Sequence, residues 1–111
     1  MNTEEFEAIV HNRCNDINEI LTNKAKEYAK GDRLHNFKEA ARIQNITPEE
    51  ALKGMTIKHT ICINDMIEDI KYNRFNRDIP YIKEKIGDEI NYLILLEALL
   101  TERIKNPIIC L

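Results

Sequence analysis

The chain has no tryptophan, and only 3 glycines, 3 prolines and 3 cysteines among its 111 residues. With so few turn formers and no strand-like alternation, its composition reads as soluble and helical rather than disordered. Cys14, Cys62 and Cys110 are odd in number and widely spaced, which excludes a disulfide framework and a paired zinc-ligand signature and points to a reducing cytosol. No stretch of apolar residues is long enough to span a bilayer, and Met1-Asn2-Thr3-Glu4-Glu5 is acidic where an export signal would be basic. The expectation is a cytoplasmic protein with no membrane partner. Lysine and arginine form no cluster and the net charge is −3, so direct nucleic-acid binding is not expected either.

What the chain does have is isoleucine, leucine, glutamate, lysine and asparagine in helical spacing, with 32% of residues charged. Its length suits one ordinary domain, small for a wide pocket unless copies associate. The pattern predicts an all-α, four-helix antiparallel bundle-like domain with helices over about 4–29, 36–44, 48–72 and 79–104. Thr3 is the expected cap of the first helix, and Phe6, Ile9, Val10, Ile17, Ile20, Leu21 and Tyr28 follow its period. Gly31 to Asn36 reads as a polar turn. Thr47-Pro48-Glu49-Glu50 carries a capping threonine, a proline at the first helical position and a glutamate three residues after the cap. Asp78 and Pro80 mark the start of the last helix in a similar way.

On the third helix, Leu52, Met55, His59, Cys62, Met66 and Ile70 form one stripe and Lys58, Ile61 and Asp65 an adjacent one, which sets Lys58, His59 and Asp65 in or beside a bundle interface. Tyr92 to Leu100 is apolar around nearly the whole helix, so a homodimer or higher homo-oligomer is expected. The tail from Asn106 to Leu111 has no helical pattern.

One constellation carries possible chemistry. Asp65-x-x-Glu68 on the third helix and Glu84-x-x-x-Asp88 on the fourth give each helix two carboxylates, and Asn91 continues the Glu84 and Asp88 stripe. Facing each other, such acids suit a hard divalent cation, Mg²⁺ or Mn²⁺, with a triphosphate completing the coordination. Lys58, one heptad before Asp65, suits phosphate charge. The alternative for every member is structural. Acidic pairs on helices commonly face water, and His59 on a Met/Cys stripe fits a hydrogen-bonded core position. Asn36 and Asp32 can satisfy turn backbone, and Lys58 can be a counter-ion for Asp65.

Across roughly positions 24 to 103, the segments Gly31-Asp32-Arg33-Leu34-His35-Asn36-Phe37, Thr47-Pro48-Glu49, Lys58-His59, Asp65-Met66 and Glu84-Lys85-Ile86-Gly87-Asp88 through Asn91-Tyr92-Leu93 resemble small phage and prophage proteins. Those proteins are related to the nucleotide modification associated domains and are similar to the MazG-like, all-α nucleoside triphosphate pyrophosphohydrolases. The resemblance implies Mg²⁺-dependent cleavage between the α- and β-phosphates, in the cytoplasm of a bacterial host. It implies Asp65, Glu84 and Asp88 as catalytic metal ligands assisted by Glu68, Lys58 on phosphate, and Asn36, His59 and Asn91 orienting water or nucleotide. Asp65 and Lys85 stand where the family motifs have glutamate, with Glu84 one position before Lys85. The alternative is a catalytically inert module that binds a nucleotide or a host protein.

Overall fold

The computed structural model describes residues 1–24 and 31–106. The fold is all-α and bundle-like, with no strand among the described residues, and it divides into two compact units, Met1–Arg33 and Leu34–Leu111. The first unit holds α1 (Thr3–Asn18) and a π-helical stretch, Glu19–Lys24. The second holds α2 (His35–Gln44), α3 (Pro48–Lys71) and α4 (Ile79–Lys105). No helix among the described residues is long and apolar enough to cross a membrane.

The first helix differs from its expectation at both ends. Its cap is Asn2, not Thr3: the Glu5 N–H donates to Asn2 Oδ1 at 2.8 Å, so the short amide reaches the first turn while Thr3 is already helical. The α-helix expected to reach about residue 29 ends at Asn18, where the hydrogen-bond ladder widens to the π form. Thr22 Oγ1 donates to the Asn18 carbonyl at this junction, a side-chain bond that competes with the regular ladder. Arg33 closes the unit with a 2.6 Å bond from its guanidinium to the Leu21 carbonyl. The rest of the expected first helix, including Tyr28, lies outside the described residues, as does the tail from Pro107.

In the second unit the local signals and the helix ends coincide. Thr47 and Glu50 form a reciprocal capping box, each backbone N–H meeting the other's side-chain oxygen at 3.1 Å. At α4, Asp78 Oδ1 accepts from the Tyr81 N–H at 3.0 Å, and Pro80 occupies the first turn, where a missing donor costs nothing. α2 stops at Asn45, whose φ of 58° lies in the left-handed region that asparagine tolerates, and the Ile46 N–H returns to the Ala41 carbonyl at 3.0 Å.

α3 packs against both α2 and α4. Leu34, Phe37, Leu52 and Leu99 form the buried core, with Met55, Tyr92, Leu95 and Leu96 packed against it. Each such side chain contributes roughly 1.5–3 kcal/mol on burial. A salt bridge of 2.6 Å between Lys38 and Glu102 ties α2 to α4. α3 and α4 run antiparallel, since Glu49 at the start of α3 meets Arg103 near the end of α4 while Thr60, further along α3, meets the earlier Glu89. Arg103 donates to both Glu49 oxygens, at 2.6 and 3.2 Å, and this hydrogen bonding holds the Glu49 carboxyl below the usual carboxylate range.

Candidate functional site between α3 and α4

The buried stripe of α4 consists of Gly87, Asn91 about one helical turn on, and Leu99 about two turns further. Such a stripe is expected to be apolar, and Asn91 breaks it. Its residue is only 8% exposed, and Oδ1 has no hydrogen-bond partner among the described residues. A buried carbonyl oxygen in that condition costs roughly 1–3 kcal/mol relative to a satisfied one.

Three polar contacts cross the helix pair around it. His59 Nδ1 of α3 stands 3.5 Å from Asp88 Oδ2 of α4, an ion-pair distance when the ring is protonated and long for a hydrogen bond. The His59 ring also faces the Tyr92 ring, with centroids 5.4 Å apart and planes inclined at 32°. One residue further along each helix, Thr60 Oγ1 donates to the two carboxylate oxygens of Glu89 at 2.8 and 3.1 Å. Asp88 and Tyr92 lie one turn apart on α4, so both reach the same histidine while Asn91 sits between them in height. Cys62, one turn beyond His59, is a partly buried free thiol.

The other expected site residues are placed differently. Lys58, Asp65 and Glu68 are exposed on α3, and Asn36 is exposed in the first turn of α2. Lys58 and Asp65 therefore do not stand in the interface as the stripe analysis expects. Their row is turned by about 100° per residue from the row of Leu52, His59 and Met66, and only the latter row faces α4. Glu84 is exposed, and its Oε1 lies 3.8 Å from the Lys85 ammonium, which also stands 5.3 Å from the centre of the Tyr81 ring. Asp88 is half-buried and faces His59.

Among the described residues, no group of three or more histidine, cysteine, aspartate or glutamate side chains is arranged to hold a metal ion. As placed, the acids do not form a cation cage: Asp88 faces an imidazole, Glu84 faces an ammonium, and Asp65 and Glu68 face outward. The backbone register is closer to that expectation than the side chains are. Stepping along the antiparallel pair from the Thr60–Glu89 and His59–Asp88 contacts sets Asp65 at the height of Ile82 to Glu84.

Tyr92 continues the Glu84, Asp88 and Asn91 stripe as its spacing predicts, whereas Thr60 and Glu89 are members of the polar seam that sequence reasoning did not single out. The one signal was their position next to His59 and Asp88 on the two helices. No protein family matches the chain, and neither does any curated protein or solved structure.

Proposed function

We propose that this chain binds a nucleotide against the α3–α4 seam. The observation that carries the reading is Asn91, a buried amide whose carbonyl oxygen has no donor among the described residues, next in sequence to a tyrosine that pairs with a histidine across the helices. Because this oxygen is sealed from solvent, a nucleobase reaches it as the seam opens, its edge supplying N–H donors and its face stacking on Tyr92 or His59 for roughly 1–3 kcal/mol per base. Lys58, exposed and adjacent to His59, is available to the phosphates. The resemblance to nucleotide modification associated and MazG-like proteins supports a nucleoside triphosphate as the ligand.

A second reading, Mg²⁺-dependent pyrophosphohydrolysis, is favoured by the register that brings Asp65 level with Glu84, one turn from Asp88. Bound there, Mg²⁺ or Mn²⁺ would offset phosphate charge, with Asp65, Glu84 and Asp88 as ligands and Glu68 assisting. Because the carboxylates as placed form no cage, the geometry supports binding more directly than turnover.

Calorimetric titration with a panel of ribo- and deoxyribonucleoside triphosphates, with and without Mg²⁺, tests the proposal when pyrophosphate is assayed in the same samples. Binding that weakens at least about tenfold in Asn91→Leu, without pyrophosphate, supports a binding module. Release of pyrophosphate that Asp88→Asn abolishes supports the enzyme. Absence of binding across the panel by folded protein would sink both.

A further inference from the structure

α4 carries a second face that the nucleotide reading does not use. Ile86, Ile90, Leu93, Glu97, Leu100 and Ile104 follow one another at spacings of four, three, four, three and four residues. This is the heptad seam of a coiled coil, narrower than the broad stripe that packs a helix onto its own domain. Within the unit Leu34–Leu111, the stripe toward α3 and α2 is a separate one. The heptad face is open: Leu93 is 56% exposed, Leu100 46% and Ile104 82%. Ile90 to Ile104 line a trough of about 490 Å³ along this face.

We propose that the trough is filled by the α4 helix of a second copy of this chain, running antiparallel about a two-fold axis. The spacing four, three, four, three, four is the same read from either end, so an antiparallel copy matches it layer for layer over roughly 27 Å at 1.5 Å per residue. In that alignment Ile86 meets the partner subunit's Ile104, Ile90 meets the partner subunit's Leu100, and Glu97 meets the partner subunit's Leu93. Charge selects the direction. Lys53 of α3 lines a groove together with Leu93, Glu49 and Glu50; Arg103 engages Glu49 and Thr47 engages Glu50, so antiparallel packing carries each Glu97 to the partner subunit's Lys53. Parallel packing in register would instead set Glu97 against its own copy, two like charges in one layer. A single charged residue in an otherwise apolar seam thereby fixes orientation at some cost in affinity.

Sedimentation equilibrium on the full chain, with helicity checked by circular dichroism, tests the proposal. A dimer at micromolar concentration is expected, and Leu100→Lys is expected to raise its Kd at least about a hundredfold while leaving helicity intact, because Leu100 is half-exposed in one copy. Glu97→Lys alone is expected to weaken the dimer, and adding Lys53→Glu to restore it. A monomeric wild type overturns the proposal and leaves the trough to another segment of this chain or to a different protein. A dimer indifferent to Leu100→Lys overturns it by placing the contact on another face, and failure of the charge reversal to rescue overturns the antiparallel arrangement.

Discussion

His59 and Asp88, 29 residues apart in the chain, face each other across α3 and α4 with 3.5 Å between Nδ1 and Oδ2. The pair lies near the height where Asn91 is buried with no partner for Oδ1 among the described residues. A buried acceptor without a donor weakens the free protein, and a ligand that supplies one binds more tightly for it, so stability and binding are expected to respond oppositely at this position.

Asn91→Leu is the direct expression of that opposition. Replacing the orphaned amide by an apolar group of similar size is expected to stabilise the free protein by about 1–2 kcal/mol, and to weaken nucleotide binding. Thermal unfolding reads the first effect as a Tm rise of roughly 4–8 °C per kcal/mol. A fall in Tm would mean that the amide is structurally engaged, and would remove the main support for the site.

The Glu49–Arg103 clamp gives a pH-dependent prediction. The Glu49 carboxyl titrates lower in the folded chain than in the unfolded one, chiefly because Arg103 donates hydrogen bonds to it. Its contribution is therefore complete above the unfolded carboxylate range and is lost as pH falls through the depressed folded value. With both side chains partly exposed, Glu49→Gln is expected to cost about 1 kcal/mol at neutral pH. The gap between wild type and variant in denaturant unfolding should close in acid, and a gap that widens there would contradict the assignment.

Thr47→Ala removes one half of the reciprocal cap at the start of α3. The expected loss is about 1 kcal/mol, visible as a lower urea midpoint with an unchanged slope. No change in midpoint would mean that the box contributes nothing net.

How far these features were legible in the chain follows from their range. The α3 cap lies within Thr47 to Glu50 and the α4 cap within Asp78 to Tyr81, so both are written in local chemistry and the helix ends could be read. The contacts that build the site are not local. Arg103 reaches Glu49 over 54 positions and Thr60 reaches Glu89 over 29, and which of two adjacent stripes faces inward depends on that register. Lys58 and Asp65 fell on the outer of the two for this reason. The turn to π geometry after Asn18 had no signal beyond Thr22, a residue that fits an ordinary helix equally well in sequence.

Leu52→Ala tests where the fold is held. Leu52 and Leu99 are each 3% exposed in a small core, so truncating either is expected to cost roughly 2–5 kcal/mol. That is a large share of the total for a domain of this size. Loss of cooperative unfolding, or of most of the helical signal at room temperature, is the expected outcome. A variant as stable as wild type would show that the core lies elsewhere.

The measurement that addresses the central claim most directly is an amide chemical-shift map of the ¹⁵N-labelled chain titrated with a deoxyribonucleoside triphosphate. The seam predicts the largest changes at the Asn91 side-chain amide and at the backbone of residues 58–60 and 88–92, saturating together at one Kd. Shifts confined to other helices, or no shifts at millimolar nucleotide, would contradict a nucleotide site between α3 and α4.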